Sequence, residues 1–181
     1  MEKSPHQEAG HLKLPAPLAA IDRITQLIGS TVQWLCVAMV GLTTLVVLLR
    51  YGFDIGSVAV QELVTYFHAA LFMLGASYTL REDGHVRVDV LYRRWSPARK
   101  AMVNAFGIIF LLIPTSLFIG WSSLPYVEQS WRIWEESSEA GGLPFVYILK
   151  TLIPVMALSL TLQGIVELYR SFRTIQKQGG A

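Results

Sequence analysis

Two ionisable side chains stand inside long apolar runs: Glu62 within residues 57–80 and Lys150 within residues 144–167. A charged group in a membrane span costs about 2.5–3.5 kcal/mol on insertion scales, so each is a candidate for function. Counted along helices that rise about 1.5 Å per residue, both lie roughly 8–10 Å below the same end of their runs. An ion pair at that shared depth would fix the registry of the two helices. Two other arrangements stay open: each side chain reaches outward to water separately, or Glu62 faces a partner subunit.

His68 lies near the middle of its run, where a hydrogen-bonded packing role is the ordinary one. A membrane haem b wants two deep histidines, and His6, His11 and His85 all fall outside the apolar runs, which argues against a redox membrane anchor. The sequence offers no Ser/His/Asp set, no Gly-rich phosphate loop, no metal-spaced cluster and no pair of deep carboxylates. One cysteine, Cys36, leaves no intrachain disulfide and no Cys metal cluster. Set in an apolar run, it is expected to be buried as a small hydrophobe.

These residues can be positioned only by membrane helices. Of the 181 residues, 52% are hydrophobic and 15% charged, against about 25% charged in an ordinary soluble domain. Mean hydropathy is +0.43. Residues 24–49, 57–80, 101–124 and 144–167 each reach the length of about 20 that crosses a bilayer. The fold class expected is therefore all-α integral membrane, one domain of four transmembrane helices. A flexible leader (1–17), a basic hairpin (81–100), an outer loop (125–143) and a tail (168–181) complete it. The leader mixes both charge signs and no Ala-x-Ala site follows the first run, so it does not fit a cleavable signal peptide. A net charge of +2 gives no reason to expect nucleic acid.

Lysine and arginine fall mostly on one side of this arrangement. Lys3, Lys13, Arg23, Arg81, Arg87, Arg93, Arg94, Arg99, Lys100, Arg170, Arg173 and Lys177 share it, whereas Arg50 and Arg132 lie on the other. The positive-inside rule places the basic side, with both termini, in the cytoplasm. Within "REDGHVRVDVLYRRWSPARK" (81–100), Val88, Leu91, Tyr92 and Trp95 recur on one helical face, with Arg87, Arg93 and Arg94 off it. That pattern suits a short interfacial helix whose guanidiniums sit on phospholipid phosphates, and ordinary basic flanks without a lipid site fit equally. Ser96-Pro97 has the form of an N-cap and first residue of the third helix. Leu18, Ile21, Ile24 and Ile28 make a second apolar stripe beside Asp22 and Arg23.

The opposite side carries Glu128, Arg132, Glu135, Glu136 and Glu139, with Trp121, Trp131 and Trp134 placed to form an interfacial belt. An acidic, aromatic loop of this kind fits a docking surface for a partner protein, or simply the ends of two helices. Pro114 and Pro154 are positioned to kink the third and fourth helices, but neither flanks the Gly-rich broken helix of a transporter substrate site. A stand-alone small exporter or channel would want a deep carboxylate on a water path, and Glu62 is too shallow and solitary for one. An accessory membrane subunit is the reading that remains.

The segments "LLRYGF" (48–53), "QELVTYFHAALFMLGASYTLREDGHVRVDVLY" (61–92) and "SSEAGGLPFVYILKTLIPV" (137–155) resemble the small membrane subunit, DctQ type, of the tripartite ATP-independent periplasmic (TRAP) transporters. The likeness runs from about Ile24 to Phe172, and "LGASYTLREDGHVRVD" is its most specific part. The resemblance implies a scaffold in the bacterial inner membrane for a large permease, which itself binds sodium and moves the substrate. It also implies that a periplasmic binding protein delivers organic acids, carboxylates or sulfonates. No cofactor is implied for this chain, although a structural phospholipid fits. Under the resemblance, Arg81, His85, Arg87, Asp89, Arg93 and Arg94 belong to a cytoplasmic, lipid-contacting motif. Arg50 and Glu62 lie near the outer face, and residues 128–142 are the docking candidate.

Overall fold

The computed structural model describes residues 14–84 and 95–179. All regular structure among them is helical: α1 Ala16–Val32, α2 Trp34–Phe53, α3 Val58–Arg81, α4 Pro97–Gly107, a π segment Ile108–Leu112, α5 Ile113–Arg132 and α6 Val146–Gly179. Joined where they run on, these give four helices long and apolar enough to cross a membrane, 16–53, 58–81, 97–132 and 146–178. The chain thus has the expected all-helical, four-span architecture. Its expected interfacial helix over 88–95 lies almost wholly outside the described residues.

Several boundaries are explained by local chemistry. Pro15 precedes α1 and Pro17 sits in its first turn, where a missing N–H costs nothing, so this helix starts well before the apolar run. It breaks at Gln33 before α2 continues. Ser96 caps α4 by accepting from the Arg99 N–H at 3.4 Å, with Pro97 first in the helix, as the sequence pattern expects. Pro114 cannot supply the N–H for the carbonyl four residues back, and its ring crowds that carbonyl. The helix widens into the π segment just before it, which relieves both problems. The start of α1 meets the last third of α6 at one end of the bundle, through Asp22 and Arg170, and the 133–145 loop lies at the other, against Glu62 near the start of α3.

Helix α6 is central and packs against α5, α3, α4 and α1, while α2 leans mainly on α3. Contacts between these spans use small residues, because lipid gives apolar helices no hydrophobic reason to associate and close approach must do the work. Along α5, Ser116, Gly120, Ser123, Val127 and Ser130 recur at helical spacing; the serines and Val127 are buried, and a Cβ on Gly120 would lie 3.2 Å from that of Ala157. Large apolar side chains point outward instead, as Phe118, Trp121 and Phe72 do. No residue of α2 is buried. Cys36 is accordingly exposed, not the buried hydrophobe its neighbours suggested.

The amphipathic reading of α1 also needs correcting. Its buried face is Asp22, Thr25, Gly29 and Val32, while of the apolar stripe Ile24 faces outward and Leu18, Ile21 and Ile28 are half-buried. Gly29 is what lets α1 meet α3, since a Cβ there would overlap the ring of Tyr78. Gly29→Val is expected to destabilise the fold by about 1–3 kcal/mol through overpacking. Gly41→Ala on α2, where nothing lies within 4 Å, should leave the thermal midpoint in detergent unchanged.

Candidate functional site

Two polar clusters cap the bundle, one at each end. At the loop end, α5 stops in a Schellman-type turn: Glu135 N–H donates to Ser130 C=O at 3.0 Å and Trp134 N–H to Trp131 C=O at 3.4 Å. Trp134 holds the left-handed position (φ 49) that glycine usually fills. The turn delivers Glu135 beside Lys150 in the second turn of α6, and the two form a salt bridge. The Lys150 ammonium also sits 3.9 Å from the centre of the Tyr126 ring. Behind it, Trp131 and Trp134 pack edge-on to Tyr147 at 4.7 and 5.2 Å, and Trp131 Nε1 donates to Thr151 at 2.9 Å.

Glu62 takes different partners. Its carboxylate accepts from the Leu143 N–H at 2.6 Å and from the Ser137 hydroxyl, so α3 clasps the loop directly. A Cβ on Gly142 would lie 2.8 Å from Glu62 Oε1, and the glycine therefore keeps that approach open. Glu62 and Lys150, which their spacing puts at one depth, do not pair with each other. The loop comes between them and supplies Glu135 to one and Ser137 with Leu143 to the other. Hydrogen bonding to Lys150 holds the Glu135 carboxyl below the ordinary carboxylate range. Glu128 and Arg132 form an exposed pair one turn apart on α5. Glu136 and Glu139 are exposed on the loop, and Arg50 is exposed in the last turn of α2.

The other cluster lies at the end of the bundle that carries the termini, and sequence reasoning missed it. Asp22 of α1 accepts from Arg170 Nη2 at 2.9 Å and from Gln163 Nε2 at 3.3 Å, and Arg81 Nε stands 3.2 Å from the same oxygen. Arg170 also donates to Glu167 at 2.6 Å, as Gln163 does at 3.1 Å. Gln163 is fully buried, Glu167 nearly so. One buried carboxylate thus ties α1, α3 and α6 together. Arg81, expected among lipid-facing arginines, is turned inward onto Asp22 and Glu82. His85, Arg87, Asp89, Arg93 and Arg94 lie outside the described residues. A signal for this cluster exists in the sequence: Gln163, Glu167 and Arg170 fall at i, i+4 and i+7, a polar stripe on one helical face.

Beside the π segment opens a mostly apolar cleft of about 640 Å³, lined among others by Leu111, Leu112, Ser116, Leu160 and Glu167. No group of His, Cys, Asp or Glu among the described residues is placed to hold a metal ion. The two clusters can fasten helices and a loop.

Comparison with known proteins matches residues 39–174 to the family described as tripartite ATP-independent periplasmic transporters, DctQ component. A Haemophilus influenzae protein provisionally named a TRAP transporter small permease is 29% identical over 100 residues, covering 53% of this chain and 62% of that relative. No solved structure matches the chain.

Proposed function

Because the chain belongs to the DctQ family of tripartite ATP-independent periplasmic transporter components, we propose that it is the small membrane subunit of a sodium-driven uptake system for organic acids. It scaffolds a large permease subunit, which binds the substrate and sodium, and it offers the 128–142 region to a periplasmic binding protein. One observation carries the reading. The charged residues of this multi-pass protein gather at the two ends of the bundle, and between them the described spans hold no charged side chain that could lead a solute across. A component of a transporter without a path of its own acts through its contacts.

The remaining assignments follow the same physics. The basic, terminal end faces the cytoplasm of a bacterial inner membrane, because moving arginines outward is costly. Phospholipid headgroups meet the hairpin arginines, and the apolar cleft beside the π segment suits acyl chains. Docking falls to the opposite end, where the Glu62 clasp and the Lys150–Glu135 bridge give the acidic loop a fixed shape that a partner could read.

Copurification from native membranes tests the scaffold role. A large polytopic partner of roughly twelve helices should come with the chain in fixed ratio; a chain isolated alone or only as a homodimer contradicts it. For docking, reversing the charges of the exposed Glu136 and Glu139 to lysine, which leaves the Lys150–Glu135 bridge intact, should lower uptake at least tenfold without lowering membrane levels. Unchanged transport at unchanged expression removes the docking assignment.

A further inference from the structure

The outward face of α3 carries a polar stripe with a histidine at its middle. Gln61, Thr65, His68, Phe72 and Thr79 are all exposed, and at 100° per residue they fall within an arc of about 60°. His68 lies within two residues of the middle of this 24-residue helix, so it stands near the centre of the bilayer. The side chains of Gln61, Thr65 and His68 make no hydrogen bond among the described residues. Thr44, Thr79 and Thr161 bond to the backbone a turn earlier, whereas Thr43 and Thr115, like Thr65, do not; His68 is what sets this stripe apart. Gln61, beside Glu62, lies near the loop end of the bundle, but hydrocarbon can satisfy neither Thr65 nor His68 deeper in the span, and leaving them against lipid is costly.

A cleft of about 400 Å³ borders the same stripe, lined by Gln33 at the α1–α2 break and by Phe72, Gly75, Ala76 and Thr79 of α3. A Cβ added at Gly75 would meet nothing within 4 Å. Small residues flanking unpaired polar groups let a second helix approach closely and hydrogen-bond across the contact. Polar groups of this kind require a protein occupant; acyl chains offer no donor or acceptor.

We infer that the α3 face carrying Gln61, Thr65, His68 and Phe72, together with the cleft beside it, is where a transmembrane helix of the large permease subunit docks, presenting a hydrogen-bonding side chain to His68 at mid-membrane depth. The inference rests on the scaffold reading above and adds the location of the contact. In this arrangement the outward residues of α5, among them Phe118 and Trp121, are left to lipid.

The test uses the intact complex in native membranes, with a photo-activatable residue at Thr65, Phe72 or Phe118. Adducts to the permease from Thr65 and Phe72, with none from Phe118, are expected. Should the permease copurify with the unmodified chain while adducts arise from Phe118 alone, or while Thr65 and Phe72 capture only lipid or a second copy of this chain, the docking face is wrong and the scaffold reading stands. Should no permease copurify at all, the scaffold reading itself fails. In parallel, His68→Leu should reduce the permease recovered per chain by about three- to tenfold, the range for an interhelical hydrogen bond in a membrane. His68→Gln, which keeps a donor and an acceptor, should largely restore it. An unchanged ratio in His68→Leu overturns the role of the imidazole.

Discussion

Asp22→Ala is expected to destabilise the protein by about 3–5 kcal/mol, the usual cost of removing one partner from a buried ion pair. The reason is geometric. A single carboxylate oxygen receives Arg170 at 2.9 Å and Gln163 at 3.3 Å and faces Arg81 at 3.2 Å, so its loss strands two guanidiniums with little access to water. In a protein of this size the thermal midpoint should fall by on the order of 10 °C. Asp22→Asn should recover only part of the loss, because it keeps an oxygen but no charge. Arg23→Ala, one residue on and exposed, should change the midpoint little. A midpoint for Asp22→Ala indistinguishable from that of the unaltered chain, followed by size-exclusion chromatography in detergent, would show that the three helices do not depend on this contact.

The second large effect is at Glu62. Its carboxylate is the acceptor for both Leu143 and Ser137, and charge-assisted hydrogen bonds are shorter and stronger than neutral ones. Glu62→Ala should therefore release the loop while leaving the spans intact. Amide exchange at Leu143 is expected to quicken at least tenfold, with exchange in α6 beyond Pro154 unchanged. Acid should act on the same loop through its other anchor. The Glu135 carboxyl is lowered in the folded protein from an ordinary value of 4.5, first by its hydrogen bond to Lys150. Its contribution is thus complete above that value and disappears as pH falls through the lowered one. The loop's protection factor, exchange corrected for its intrinsic pH dependence, should be flat from pH 7 to about 5 and fall only below about 4.5, and Glu135→Gln should show the reduced protection throughout, the two chains converging in acid. A loop equally protected in Glu62→Ala would remove the clasp.

Much of the architecture was legible because the bilayer imposes it: a span needs length and apolarity, and both are visible in one dimension. Ser96-Pro97 was legible for a similar reason, since capping depends on neighbouring residues. What the sequence could not show is direction around a helix axis. Spacing suggests a common depth for Glu62 and Lys150, but their partners depend on how the 133–145 loop folds between them. Asp22 looked like the polar edge of a surface helix, and only the packing of α1 on α3 and α6 shows that edge to be the buried one. Gln163, Glu167 and Arg170 were visible as a stripe, yet Glu167 looked like the end of a span and Arg170 like a tail residue, so the pattern was divided at the assumed boundary. Cys36 misled in the opposite sense: in a membrane protein an apolar neighbourhood does not imply an interior one.

The central claim is that this chain moves nothing by itself and works by holding a permease and receiving a binding protein. Reconstitution into liposomes tests it most directly. The purified chain alone should give no sodium-dependent accumulation of an organic acid, while the chain with its copurifying permease and binding protein should give robust uptake. Accumulation by the chain alone, or full uptake by the permease and binding protein without it, would contradict the claim.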